Sequence, residues 1–389
     1  MQLILVTLAC FPFVKWFGYG MGSDIQPYCL IGSGIIICLF GIKNIIYITK
    51  DIKKIFWIVL SGLIIGSIFT LIFSGSSFND TIRYYATYVG IIIYILIFYN
   101  LLLKNNGLPE NIIKVCINVY FIVGMVQKYL RADFLYNWIP NERTSLNRGV
   151  IALASEPSFY GYMCIFFLLF AIDFKKGRKF YIINLLFQIF VLAQSSVTIL
   201  YIMILIGLGM LYLLSKVDIK KGIAATIFIC CIAIAGYYLI MKYASTSRMA
   251  YFINIIMQQN SLSGILSNLN SDGSVYIRFN DIIVCLEGFV KYVGVPHGFN
   301  TRKISSGYGS LLYTMGWAGF ALIVCFYHIM KEKYIATGIK KIIPLWISII
   351  LFSAIQLSNP IISLYFAYCL WSAGAVTREE TTYIIRQAV

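Results

Sequence analysis

Long apolar runs alternate with short polar connections along the whole chain, and the runs have the length of a bilayer rather than of a soluble core helix. In the first half they fall near residues 3–17, 28–48, 55–73, 84–103, 112–130 and 150–172. The second half adds residues 180–193, 197–214, 222–241, 309–330, 342–357 and 360–374. A membrane-spanning helix takes about 20 apolar residues, and hydrocarbon offers backbone groups no hydrogen-bond partner. The pattern therefore predicts an all-α polytopic membrane protein with about twelve transmembrane helices. One pair is cramped. Gln194, Ser195 and Ser196 interrupt a run of about 35 residues, short for two upright spans, so one of the two is expected to be short, broken or re-entrant.

Charge orders these runs. Lys50, Lys53 and Lys54, Lys104, Lys175, Lys176, Arg178 and Lys179, Lys216, Lys220 and Lys221, and Lys331, Lys333, Lys340 and Lys341 occupy alternate connections. The positive-inside rule makes that side cytoplasmic, together with both termini. The opposite side receives GYGMGSDIQP, SGSSFNDTIR, residues 131–149, a Gln-Ser-Ser turn, residues 242–308 and a turn at Asn359. Three regions are expected: residues 1–241 with nine spans and the short external loop 131–149, a large external loop at 242–308, and residues 309–389 with three spans and a cytoplasmic tail.

Composition agrees, since 60% of the 389 residues are hydrophobic and 12% charged. The excess of 31 Lys+Arg over 15 Asp+Glu reads as topology, not as a nucleic-acid footprint, and no nucleic acid is expected. Ten cysteines lie scattered without CxxC spacing, so neither a disulfide framework nor a zinc site is expected. The start MQLILVTLACFPFVKWF lacks a basic leader and reads as an uncleaved first span.

A chemical asymmetry remains. The external side holds Arg83, Arg131, Arg143, Arg148, Arg248, Arg278 and Arg302, whereas the cytoplasmic connections use mainly lysine. A guanidinium fork grips phosphate or carboxylate in bidentate fashion. Pairing with Asp80, Asp133, Glu142, Asp272, Asp281 or Glu287, or a place among headgroups, is the other use. Residues 143–161, RTSLNRGVIALASEPSFYG, set two arginines and a glutamate at the mouth of an apolar span, where charge is costly. Glu156 precedes Pro157 and so leaves the helical interior; it can act as a base, orient an arginine, or start a helix with Ser155 or Ser158 as cap. His297, in a VPHG turn, titrates near neutral pH and is the second candidate base, or a solvated loop residue. His328 beside Lys331 reads as structural. External Tyr160, Tyr276 and Tyr308 offer ring faces for sugars, while most aromatics serve belts and core. Gly307, Gly309, Gly316 and Gly319 follow no strand and read as packing positions rather than a nucleotide fingerprint. With no DxD pair and no ligand cluster, metal-independent chemistry and no cofactor are expected.

An arginine-containing loop followed by SEPSFYG at the head of a span resembles the signature region of bacterial O-antigen and capsule repeat-unit polymerases of the Wzy type. The break AQSSVT and the late segments SVYIRFNDI, GVPHGFN and SGYGSLLYTMGWAG are similar to that family's polar turn, large periplasmic loop and glycine-rich return. The resemblance implies a membrane glycosyltransferase C-type (GT-C-like) architecture. It also implies transfer of a growing polysaccharide from undecaprenyl pyrophosphate to a new lipid-linked repeat unit, at the periplasmic face of the inner membrane. Its partners would be undecaprenyl-pyrophosphate-linked oligosaccharides, membrane lipids and a Wzz-type chain-length regulator. Under this resemblance Arg143, Arg148 and Arg278, with Arg302 and Arg248 behind them, hold the pyrophosphate, and Glu156 or His297 activates the acceptor hydroxyl. An O-antigen ligase shares the topology but carries a more prominent histidine motif. A lipid-linked oligosaccharide flippase would show duplicated halves with intramembrane charges in each, and this chain shows no such duplication.

Overall fold

A computed structural model of the chain describes residues 2–18, 23–45, 47–73, 78–144, 149–216, 273–299, 301–302, 304–335, 338–353 and 355–387, with isolated positions 238 and 254. The regular structure among them is helical: α1 Gln2–Cys10, α2 Tyr28–Ile45, α3 Lys50–Phe73, α4 Phe78–Lys104, α5 Glu110–Tyr129, α6 Pro157–Ala171, α7 Arg178–Phe187, α8 Ser196–Lys216, α9 Gly273–Lys291, α10 Gly307–Met315, α11 Trp317–Tyr334, α12 Ile343–Leu351 and α13 Pro360–Gln387. Among the described residues three stretches, Lys50–Ile72, Tyr84–Lys104 and Glu110–Tyr129, are long and apolar enough to cross a membrane. Tyr28–Leu39, Pro157–Ala171, Ser196–Tyr212 and Pro360–Gly374 are shorter apolar helices. The chain thus has the helical, membrane-associated character that its pattern predicts. The described residues do not reach the expected count of twelve spans, and the run at 222–241 lies outside them apart from position 238.

Several expected spans are broken, each for a local reason. The first stops at Cys10, just before Pro12, whose carbonyl accepts from the Gln26 amide at 2.8 Å instead of from a following helical turn. The run at 150–172 becomes helical only at Pro157, so its first seven residues are irregular backbone. In the cramped pair, α7 passes into a π-helical turn, Gln188–Ala193, and ends at Gln194 with φ 46°. The run at 309–330 splits at Gly316, whose φ is 57°. A Cβ there would lie 2.1 Å from the Gly294 carbonyl, so glycine suits both the torsion and the close approach. The run at 342–357 is helical only as far as Leu351.

Two apolar helices form the centre. α6 is buried along almost its whole length, surrounded by α5, α7, α8 and α13, and the first half of α13 is equally buried against α4, α6 and α11. By contrast α3 turns Trp57, Ile64, Ile68 and Leu71 outward, as a lipid-facing helix does.

At the lysine-rich end a buried charge cluster clamps the centre. Asp173, just past α6, meets Lys333 Nζ of α11 at 2.8 Å and Lys340 Nζ at 3.1 Å, and accepts from the Tyr368 hydroxyl of α13 at 3.2 Å. The Lys333 ammonium is 3.7 Å from the centre of the Tyr368 ring, with its side chain only 4% exposed. Burial pushes the Asp173 pKa up, but the two lysines outweigh it and hold the carboxyl below its ordinary range. A depressed carboxyl contributes stability above its unfolded pKa and loses it as pH falls through the folded value. Asp173→Ala strands a buried ammonium and is expected to cost about 3–5 kcal/mol, read as a lower unfolding midpoint in detergent at neutral pH that converges on wild type in acid.

Candidate functional site

The opposite end of α6 carries the second charge cluster, and the irregular backbone before the helix builds it. Pro157 occupies the first turn, where its missing N–H costs no hydrogen bond. Glu156 sits at the N-cap with extended backbone, φ −152°, and its side chain does not cap the helix. It turns sideways instead, accepting from the Ser158 hydroxyl and facing Arg143, whose Nε lies 3.6 Å from Oε2. Arg143 Nη2 also bonds Asp24 at 2.6 Å, and its guanidinium lies 5.6 Å from the Phe159 ring centre. The Arg143 amide donates to the Ser155 carbonyl at 2.7 Å, so backbone and side chain of one residue tie the loop to the helix head. Glu156 and Asp24 side chains are 13% and 14% exposed, and Arg143 is 50% exposed. Two sheltered carboxylates, Asp24 and Glu156, thus share the Arg143 guanidinium. Arg143 is placed to orient Glu156, and its two acidic partners oppose the pyrophosphate-gripping role expected for it.

Residues 149–156 form no helix, yet their backbone groups find partners. Gln127 of α5 receives the Ala152 amide at 2.7 Å and donates through Nε2 to the carbonyls of Ala152 at 2.9 Å and Phe134 at 2.8 Å. The Val150 amide donates to Leu192 at 2.9 Å, within the π-helical turn, and Lys128 Nζ donates to Val191 at 2.7 Å. Gly149 packs so closely that a Cβ would meet the Ala193 carbonyl at 1.9 Å. Beside Glu156, the Ser155 hydroxyl is buried without a hydrogen-bond partner.

His297 belongs to a separate arm. Its amide donates to the Tyr313 carbonyl at 2.9 Å, its ring stacks on Tyr313 at 4.3 Å, and Tyr292 meets it edge-on at 4.9 Å. Nδ1 is buried without a partner, and burial pushes the imidazole pKa down, so the ring is neutral at neutral pH. The arm continues to Phe299, whose amide donates to Thr70 Oγ1 of α3 at 2.6 Å and whose ring packs among Tyr84, Tyr85 and Tyr88. The contacts described for His297, to Tyr313 and Tyr292, are distinct from those of Glu156, to Arg143 and Ser158.

Other expected residues are distributed around these two arms. Arg302 is exposed. Asp281, 4% exposed on α9, accepts from both the amide and the hydroxyl of Ser305, at 2.8 and 2.5 Å. Ser306 then caps α10 and donates to the Phe352 carbonyl, the Gly307 amide donates to Ser353, and the Ser353 hydroxyl bonds Tyr162 of α6 at 2.6 Å. Arg131 pairs with Asp133 at 2.7 Å, an exposed pair of the kind expected as its alternative use. Arg148 and Arg248 lie outside the described residues, as do the side chains of Arg278 and Tyr276, both on α9.

The sugar-stacking expectation is corrected for two tyrosines. Tyr160 is fully buried, stacked on Tyr120 with its hydroxyl donating to Gln188 at 2.8 Å, and Tyr308 is fully buried edge-on to Phe352. Neither ring leaves a face open, because the α6 and α10 heads pack inward. The sequence reading also missed Asp24 and Gln127. Asp24 is the single acid in the first external connection, and Gln127 is a polar residue near the end of an apolar run; each was a visible signal.

No family model matches the chain, and no curated protein or solved structure matches it.

Gln127→Leu removes three hydrogen bonds and orphans buried backbone groups at Ala152, each worth about 1–3 kcal/mol. Thermal unfolding in detergent is expected to show a loss of at least that size, whereas an unchanged midpoint contradicts the anchoring role.

Proposed function

We propose that the protein is a membrane glycosyltransferase of the O-antigen polymerase kind, joining undecaprenyl-pyrophosphate-linked oligosaccharide repeat units at the periplasmic face of the bacterial inner membrane. The observation that carries this reading is the sheltered Glu156 carboxylate, held by Arg143 and Ser158 at a broken helix head. That head lies at the end of α6 opposite the lysine cluster around Asp173. A carboxylate positioned by an arginine and a hydroxyl has the fixed geometry that a general base needs to meet a substrate hydroxyl.

In the proposed step Glu156 takes the proton of an acceptor sugar hydroxyl as that oxygen bonds the anomeric carbon of the donor. The carbon–oxygen bond to the carrier breaks, and undecaprenyl pyrophosphate leaves with the electron pair. Charge grows on the leaving group, so preorganised cations lower the barrier. Arg302, exposed, and Arg148, Arg248 and Arg278 are assigned to that task, and Arg143 to aiming the base. His297 is neutral at neutral pH and remains the second candidate base, on its own arm. A Wzz-type regulator is the partner this reaction would call for.

The test is the lipopolysaccharide ladder of a strain lacking this chain, complemented with wild type, Glu156→Gln, Arg143→Ala or Arg278→Ala, with membrane levels checked. A single repeat on core in the deletion and a restored ladder with wild type support the polymerase. Glu156→Gln is expected to remain abundant and to slow extension about 10²–10⁴-fold. Long lipid-linked polymer unattached to core would establish the ligase instead, and repeat units trapped in the cytoplasm the flippase.

A further inference from the structure

Residues 242–308 were expected as an external loop, yet the helix that forms its described part has an apolar exterior. α9 presents three distinct sides. Asp281 and Cys285 are buried toward the rest of the molecule, and Gly288 lies against His297, whose Cε1 would stand 3.3 Å from a Cβ placed there. Ile283, Leu286 and Val290 are exposed, Val290 to 75%. At about 100° per residue these three fall within an arc of about 60°. Next to that arc Glu287 and Lys291, both exposed, form a charged edge.

The apolar side does not end with the helix. It runs on through exposed Val293 and Val295 to Trp317, Phe320 and Val324 of α11. Phe289 joins the two parts, its ring 5.2 Å from Trp317 and 5.9 Å from Phe320. The Trp317 indole donates to the Val293 carbonyl at 2.8 Å, leaving an amphipathic ring whose polar edge is satisfied. Behind α11 stands α3, one of the helices long and apolar enough to cross a membrane; a Cβ on Gly62 would lie 3.3 Å from Ala318. α3 shows Trp57, Ile64, Ile65 and Ile68 outward. The exposed face of α9 is therefore continuous with the lipid-facing exterior of a spanning helix.

We infer that α9 is a membrane-embedded helix whose outer side meets lipid, with Ile283, Leu286 and Val290 against lipid chains and the Glu287–Lys291 edge turned away from them. The occupant of this face is the bilayer. An apolar arc flanked by a charged edge is the pattern of a helix with one side against lipid chains. In water, so large a contiguous apolar patch on a polar loop would be a liability. The inference stands whether or not the protein transfers sugars.

The experiment places a photoreactive diazirine amino acid at Leu286, Val290, Glu287 or, as a reference, Trp57 in the full chain. Each purified variant is reconstituted in vesicles of phosphatidylethanolamine and phosphatidylglycerol, irradiated and weighed intact. All four positions are exposed, so the substitutions leave the packed core alone. Expected are phospholipid adducts at Leu286 and Val290 at the level seen for Trp57, and several-fold fewer at Glu287. Absence of lipid at Leu286 and Val290 while Trp57 is labelled overturns the inference. Equal labelling at Glu287 overturns the orientation, and crosslinks between two copies of the chain at Leu286 make this face a self-association surface instead. Failure at Trp57 as well overturns the membrane frame from which the inference is drawn.

Discussion

Every backbone N–H and C=O in an apolar surrounding must find a partner inside the protein, and the rest of this structure depends on how that demand is met where helices break. An uninterrupted helix meets it alone. Here the backbone is irregular before α6, between α9 and α10, and after α12, and each interruption is closed by a side chain or by a neighbouring broken end. Gln127 substitutes for a missing helical turn at Ala152, Leu192 in the π-helical turn receives Val150, and Ser306 with Ser353 stitches the start of α10 to the end of α12. Gln127 sits on α5 and Leu192 in the π-helical turn, so the backbone before α6 is tied to two neighbouring helical elements.

α6 then acts as a rod between two charge clusters. At the Asp173 end one carboxylate faces two lysines, and the surrounding aromatic rings of Tyr334, Tyr365 and Tyr368 take up the surplus positive charge. At the Glu156 end two carboxylates face one half-exposed arginine. The first arrangement is buried and suits a clamp. The second keeps its cation half exposed, with Arg143 bridging Glu156 and Asp24.

The two arms lead to different helices. From Asp281, which holds Ser305, the next residues bond the end of α12, Ser306 to the Phe352 carbonyl and the Gly307 amide to Ser353, and the Ser353 hydroxyl bonds Tyr162 of α6. From His297 the packing runs through Phe299 to α3 and α4. Both arms start at or just after α9.

The chain's own order of residues determined the class of fold, its helical content, the alternation of lysine-rich connections and the place of the unusual head of α6. Those features are local: they follow from run length, from Pro157 after Glu156 and from serine breaks such as the one at Gln194. The tertiary structure decided which charges meet. Asp24 lies far from Arg143 in sequence, and no periodicity links them; only the packing of the segment before α2 against the head of α6 brings them to 2.6 Å. It also decided that Tyr160 and Tyr308 face inward, since a sequence shows that a tyrosine is near a span end but not which side of the helix its neighbours cover. The same reason hides the role of α9. Its composition is polar enough to read as a loop, and its lipid-facing side becomes visible only when Asp281 and Cys285 are seen to occupy the other.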